Sequence, residues 1–143
     1  MAYPSSFNVY KKSAAAQFTL LPPRRDENGR IQKTGAVLLE VAPSQGEKSY
    51  DWKNNKLTFA FGINDMTQFF DDPNSSKWGS FFHQNDGSNK KLIFTEGKDR
   101  YQGTYMMSLM SGESKVSVPL SAGEFHVISR LFACAIPKML GWE

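Results

Sequence analysis

The sequence predicts an α+β fold of antiparallel sheets, and three observations carry that expectation. Eight short runs carry the composition or apolar–polar alternation of strands, turn-forming clusters separate them, and one long run near the C-terminus switches to helical period. That run, 121–142, opens on Ser121 with Glu124 three residues later, so hydroxyl and carboxylate can each satisfy a backbone N–H left unpaired at a helix start. Phe125, Ile128, Phe132, Ala135 and Met139 then fall at helical spacing, and Val127, Leu131 and Cys134 widen the stripe onto a second face. Pro137 lacks an N–H and clashes with the preceding turn, so the regular helix is expected to end or bend there, with Gly141 free to leave it. One small sheet covers only one face of such a helix. The other is expected to meet a second copy of the chain, with Phe125, Ile128, Leu131, Phe132 and Met139 as the contact.

A short polar lead, residues 1–9, is expected to precede one domain, residues 10–143. The first strand ends at Leu21, because Pro22-Pro23 stops any regular element. Asp26-Glu27-Asn28-Gly29 reads as a turn, and residues 30–33 and 35–42 as the second and third strands. Pro43-Ser44-Gln45-Gly46 turns the chain again. Tyr50-Asp51-Trp52 then leads to a fourth strand, 57–61, which completes a first sheet. Asn64 is placed to cap a short helix carrying Met66, Phe69 and Phe70, which must stop before Pro73. After a loop at 71–77, strands are expected at 78–83, 90–95, 101–110 and 114–120, with turns at 85–88 and 111–113. Four strands and a short helix are thus followed by four strands and a long one, without any residue-level repeat.

Composition bounds the function. The 143 residues suffice for one domain with a real core, and 13% aromatic residues, eleven of them Phe, exceed what that core requires. A net charge of +3 is a mild bias compatible with a polyanionic partner. Cys134 is the single cysteine, which excludes an intrachain disulfide; a buried thiol in an intracellular, reducing compartment is the expectation. No apolar run approaches the roughly 18 residues of a membrane span, and the first six residues read as neither a signal peptide nor an Arg-rich transit peptide, so no membrane partner is expected.

The element order, together with Gly46-Glu47-Lys48-Ser49-Tyr50-Asp51-Trp52, Phe81-Phe82-His83 and the ending Ala135-Ile136-Pro137-Lys138-Met139-Leu140-Gly141-Trp142-Glu143, closely resembles the Whirly family of single-stranded-DNA-binding proteins. The resemblance implies two antiparallel four-stranded sheets set roughly perpendicular, each followed by a helix, and a homotetramer joined through the helices. It also implies single-stranded DNA running along the sheets with little dependence on sequence, in genome protection or transcriptional control. Guide-RNA-binding proteins share a related fold, which leaves RNA open as a ligand. Plant members carry Lys-Gly-Lys-Ala-Ala-Leu in the first strand, linked to larger assemblies; here Lys11, Lys12, Ser13, Ala14, Ala15 and Ala16 occupy those positions, with Ser13 in place of the second lysine.

Sequence-tolerant binding of a single strand needs cations for phosphates and flat apolar rings for unpaired bases, and the chain interleaves the two. Lys48, Tyr50, Trp52, Lys53 and Lys56 form one cluster; Phe81 and Phe82 with Lys90 and Lys91 a second; Lys98, Arg100, Tyr101 and Tyr105 a third. Trp78, Lys11 and Lys12 complete the candidate contacts. Strand alternation assigns Phe59, Phe61, Phe82 and Phe94 to the core. Catalysis finds little support: His83 and His126 stand in no metal-ligand spacing, no phosphate loop or nucleophile elbow occurs, and Asp71-Asp72 before Pro73 reads as a helix stop rather than a metal site. No cofactor or metal is expected. A protein-interaction module presenting the apolar helix is the remaining alternative.

Overall fold

The computed structural model describes residues 5–75, 78–85 and 88–142. Within them the chain forms β1 (Ser6–Tyr10), β2 (Ala14–Leu21), β3 (Arg24–Arg25), β4 (Ile31–Lys33), β5 (Ala36–Gly46), β6 (Ser49–Tyr50), β7 (Leu57–Phe61) and α1 (Ile63–Phe69). The second half holds β8 (Ser80–Asn85), β9 (Ser88–Glu96), a 3-10 turn (Asp99–Tyr101), β10 (Tyr105–Ser111), β11 (Ser114–Leu120) and α2 (Ala122–Met139). Ser76 and Lys77 of the expected loop, Asp86 and Gly87 of the expected turn, and Met1 to Pro4 of the lead lie outside the described residues.

The first sheet runs β1-β2-β5-β7, all antiparallel, with the short β6 pairing the far end of β5. The second is the antiparallel meander β8-β9-β10-β11. β11 lies against β2 and β5, and β10 against β7, so the apolar faces of the two sheets meet. Phe59, Phe61, Phe81 and Phe94 fill that space edge to face, with Phe61 and Phe81 at 5.6 Å and Phe81 and Phe94 at 6.0 Å between ring centroids. Burying a ring of this kind stabilises by about 1.5–3 kcal/mol relative to leaving it in water. The alanines at the start of β2 are fully buried, their small side chains suiting a crowded place where Ala14 pairs Pro43 and Ala15 pairs both Tyr10 and Ala42.

Two strand expectations are corrected. The lead is not a tail: Ser6–Tyr10 pairs with β2 as an edge strand and buries Val9. Residues 31–33 do not enter the sheet; they pair only with Arg24–Arg25, as a separate two-stranded ribbon. The cause is patterning, since the ribbon has no continuous apolar face to offer a core whereas β1 has Phe7 and Val9. The fifth and seventh strands also start later than expected, at Ser80 and Tyr105, the residues before them being turns.

α1 is capped from Gly62, not Asn64: the Asp65 carboxylate accepts the Gly62 N–H at 2.9 Å. In α2 the expected box is present, Ser121 N–H donating to Glu124 Oε1 at 2.7 Å and Glu124 N–H to Ser121 Oγ at 3.1 Å. Pro137 does not end the helix, which continues to Met139. So near the terminus a missing N–H removes a single bond, and the last turn is secured otherwise: Leu140 N–H reaches Ile136 O, Gly141 N–H reaches Lys138 O at φ +80°, and the Met139 carbonyl accepts the N–H of Gly35 at 2.8 Å.

α2 buries its first stripe in its own protomer. Ile128, Phe132, Ala135 and Met139 are in the core, and Phe125 is half-buried with its ring stacked on Tyr105 at 3.9 Å. Of the five residues expected to contact another copy, Ile128, Phe132 and Met139 are closed off inside the protomer, Phe125 is half-buried and Leu131 is 44% exposed. Cys134 is exposed rather than buried, on the same outer stripe as Val127 and Leu131.

Gly35 sits where β5 begins and α2 ends, and a Cβ there would lie 2.3 Å from the Leu21 carbonyl oxygen and 3.2 Å from Met139 Cα. Both neighbours are backbone and cannot swing aside. Gly35→Ala should destabilise by at least about 1–3 kcal/mol, the usual cost of overpacking, seen as a lower midpoint in thermal or urea unfolding. Gly29→Ala, where nothing stands within 4 Å but φ is +83°, should cost only the backbone strain of about 1–2 kcal/mol.

Candidate nucleic-acid interface

The first candidate cluster is brought together by the strand ends of the first sheet. Lys48, Tyr50 and Trp52 line a hollow of about 1280 Å³ with Tyr10, Lys11 and Lys12. Tyr50 anchors it, donating its hydroxyl to the Lys11 carbonyl at 2.6 Å and setting its ring 5.7 Å from that of Tyr10. Asp51 fixes the turn beyond, its carboxylate accepting from Asn54 N–H and the Asn55 amide. Lys48 reaches the rim from a left-handed backbone conformation, φ +53°, which few non-glycine residues adopt and which the tight turn between β5 and β6 imposes. Lys53 and Lys56 do not line the hollow; Lys53 is exposed in the following turn and Lys56 pairs with Glu40 at 2.8 Å.

A second hollow, about 470 Å³, is lined by Lys11, Thr95, Glu96, Tyr101, Tyr105 and Met106 among others. Lys11 belongs to both. Its ammonium is held at 2.7 Å by Glu124, the residue that also closes the α2 capping box, so the helix start positions the cation between the hollows. Desolvation pushes the Glu124 carboxyl up, but hydrogen bonds from Lys11 and Ser121 and the Lys11 charge together outweigh it and hold the group below its ordinary range. Tyr105 moves the other way: burial first, then the Glu96 charge, raise its hydroxyl, which stays neutral and able to donate.

The outer face of the second sheet continues from this hollow. Thr95, Met106 and Pro119 are cross-strand neighbours at its rim; two residues along come Ser80, Ile93, Ser108 and Ser117; two further come Phe82, Lys91, Met110 and Lys115. Phe82 is 58% exposed, with Lys91 Nζ 5.8 Å from its ring centroid. The expected places of the pair are thus reversed: Phe81 faces the core, and Phe82, assigned to the core from sequence, is the exposed ring. Alternation forces one of two adjacent rings outward but not which one.

Other candidates lie at this track or beside it. Tyr101 is exposed, with Arg100 4.9 Å over its ring and donating to its hydroxyl at 2.8 Å; Lys98 is exposed beside it. Lys90 is engaged between the sheets, its ammonium donating to Thr58 Oγ1 at 3.1 Å. Trp78 is half-buried: its indole N–H donates to the Phe69 carbonyl and its ring packs near those of Phe69, Phe94, Tyr105 and Phe125. Tyr105 lines the second hollow with one face of its ring stacked on Phe125. Sequence reasoning missed Tyr10 and Lys115; Tyr10 had a readable signal, since Val9 beside it is the apolar partner of an alternating edge strand.

Asp71 and Asp72 organise a turn, each accepting a backbone N–H, and no group of three or more His, Cys, Asp or Glu side chains converges among the described residues. Nor is any described helix long and apolar enough to cross a membrane. Two hollows and a sheet face, joined through one lysine, thus make one surface lined by cations and open rings. The family described as Whirly transcription factor matches residues 9–131, and the chain belongs to that family. It is 27% identical to the maize protein named single-stranded DNA-binding protein WHY1, chloroplastic, with 97% of this chain and 57% of that one covered. It is also 27% identical to the Arabidopsis thaliana protein named single-stranded DNA-binding protein WHY2, mitochondrial, over 96% of this chain and 63% of that one. The chain therefore spans a little over half the length of these relatives. The crystal structure of WHY3 from Arabidopsis thaliana superposes with a TM-score of 0.81 at 24% identity, covering 99% of this chain and 92% of that one, and so shares its fold.

The Glu124 linkage predicts a pH dependence. Because the folded group sits below its unfolded value, its contribution is fully present above the unfolded range, about pH 4.5, and is lost as pH falls through the lower folded value. Glu124→Gln should be less stable than wild type at neutral pH, and the difference should shrink steadily on acidification below that range. Thermal melts across the pH series test it; a constant gap would show that the carboxylate charge contributes nothing.

Proposed function

We propose that this chain binds single-stranded DNA with little dependence on sequence, by stacking bases on exposed rings while lysines neutralise the phosphates. The observation that carries the reading is the continuity of the track from Tyr10 and Trp52 across Lys11 to Phe82, Lys91 and Lys115. A duplex hides the faces of its bases, so rings on an open surface discriminate in favour of single strands. The names of the maize and Arabidopsis relatives support the same reading. No step of chemistry is required of the protein.

The reading extends to assembly. The outer stripe of α2, Val127, Leu131 and Cys134, borders an apolar hollow of about 440 Å³ that also takes in Phe7 and Leu20. That unpartnered face suits a homotetramer joined through the helices, with the two sheets of each protomer crossing steeply and several copies of the track brought within reach of one strand.

In direct competition at one salt concentration, an unstructured oligonucleotide should displace duplex of equal length, and affinity should fall as salt rises. Trp52→Ala and Phe82→Ala should each weaken binding by about 1–3 kcal/mol, the worth of one stacked base, with little change in melting temperature for Phe82→Ala. Fluorescence anisotropy with DNA and with RNA of the same sequence reads the affinities, and thermal melts the stability; equal affinity for duplex would sink the stacking mechanism.

Leu131→Glu tests assembly separately. The side chain is 44% exposed in the protomer, so the protomer should stay folded while a carboxylate buried without a partner splits the assembly. Analytical ultracentrifugation should show a lower mass with unchanged circular dichroism. An unaltered mass would place the interface on another face.

A further inference from the structure

The β3–β4 ribbon carries four cations in ten residues, Arg24, Arg25, Arg30 and Lys33, and belongs to neither the core nor the track. Its register sets Arg24 directly opposite Lys33. Like charges facing one another across a strand pair are destabilising, and among the described residues neither of these two is in an ion pair. The acids of the ribbon lie at its other end, where Asp26 is occupied in accepting the N–H groups of Asn28 and Arg30.

The ribbon is nevertheless held in place. Arg25 donates to the Gly29 carbonyl at 2.8 Å and to that of Gly141 at 3.3 Å, and Gly141 is so close that a Cβ on it would come within 2.8 Å of Ile31 Cδ1 and 2.9 Å of Arg25 Nη2. Next in the chain is Trp142, 71% exposed, its backbone fixed by a bond from its N–H to the Pro137 carbonyl. Two unpaired cations thus stand on a docked ribbon whose neighbouring turn presents an open indole, the same pairing of charge and ring that lines the track. The place is different. β2 and β5 separate it from the Tyr10–Trp52 hollow, which lies at the opposite end of that strand pair, about 24 Å away for the eight residues of β2.

We propose that Arg24, Lys33 and Trp142 form a second nucleic-acid contact, taking the phosphates and one base of a strand that extends beyond the track. The proposal rests on the single-strand reading above for the identity of the ligand, and on the uncompensated Arg24–Lys33 pair for the place. A bound phosphodiester relieves the repulsion that the free protein carries. Release of the pair without ligand should therefore stabilise the fold while weakening binding, a combination that a merely solvated ribbon would not give.

The test uses the full chain and a long thymidine oligomer. Arg24→Gln combined with Lys33→Gln should raise the melting temperature slightly, lower affinity, and make the dependence of log K on log salt shallower by about 1.4, at about 0.7 for each phosphate no longer neutralised. Lys33→Arg should leave all three unchanged. Trp142→Ala should weaken binding without altering the salt slope. If wild type binds the oligomer and Trp52→Ala weakens it, but the double variant keeps both affinity and slope, the ribbon site is overturned and the track survives. If the double variant shows the shallower slope while Trp52→Ala and Phe82→Ala bind as wild type, the ribbon stands and the track's stacking role falls. Wild type that binds no oligomer overturns both.

Discussion

The fold depends on what surrounds one ring. Phe132, on α2, meets Phe18 of β2 at 6.0 Å, Phe61 of β7 at 4.9 Å and Phe69 of α1 at 4.9 Å, so a single buried side chain touches the first sheet at two strands and the short helix as well. Residues on the same stripe extend the contact, Phe125 reaching Phe94 and Tyr105 of the second sheet at 5.8 and 3.9 Å. Neither sheet closes the core alone. Once the helix is seated, the strand faces that remain outward are those of the candidate interface, and their order along the surface follows from the register of the ladders.

That dependence also explains why one lysine can join two hollows. Lys11 stands in the tight connection between β1 and β2, a position that by itself would leave a long side chain free to wander. The capping residue of α2 fixes it. Glu124 therefore serves the helix start and the surface at once, and its carboxyl is held low by the same hydrogen bonds that do both.

The sequence made the α+β class and the long helix with its cap legible, because each rests on local spacing that the chain carries wherever it is placed; the turn expected at Pro43-Ser44-Gln45-Gly46 is instead the end of β5, held extended by its pairing with β2 and β6, and the chain turns at Glu47-Lys48. The ribbon at 24–33 and the edge strand before Tyr10 were less so: whether a short strand joins a sheet depends on whether its partners have an open edge and whether it brings an apolar face, and only the second can be read locally. Of the candidate residues, Lys11, Lys48, Tyr50 and Trp52 come together around one hollow and Lys91 stands beside Phe82, positions set by the strand ends and the ladder. Phe81 and Phe82 exchange places because alternation sets relative and not absolute direction. Trp78 and Lys90 are turned partly inward by partners distant in sequence, the Phe69 carbonyl and the Thr58 hydroxyl. The two apolar stripes of α2 read as an assembly element; the first is consumed by the two sheets together, which no count of one sheet's area could reveal.

The bond from the Gly35 N–H to the Met139 carbonyl bears on how the molecule is made. A ribosome has produced every strand, and both sheets' worth of Phe, before the helix that covers them leaves the exit tunnel. Until then Phe18, Phe61 and Phe69 have no Phe132 to pack on, and the start of β5 faces no carbonyl. Domains of this length generally fold as one unit. Here the nascent chain gains its cooperative core only on completion of α2, and during translation it exposes unpaired sheet edges that a holding chaperone is suited to cover.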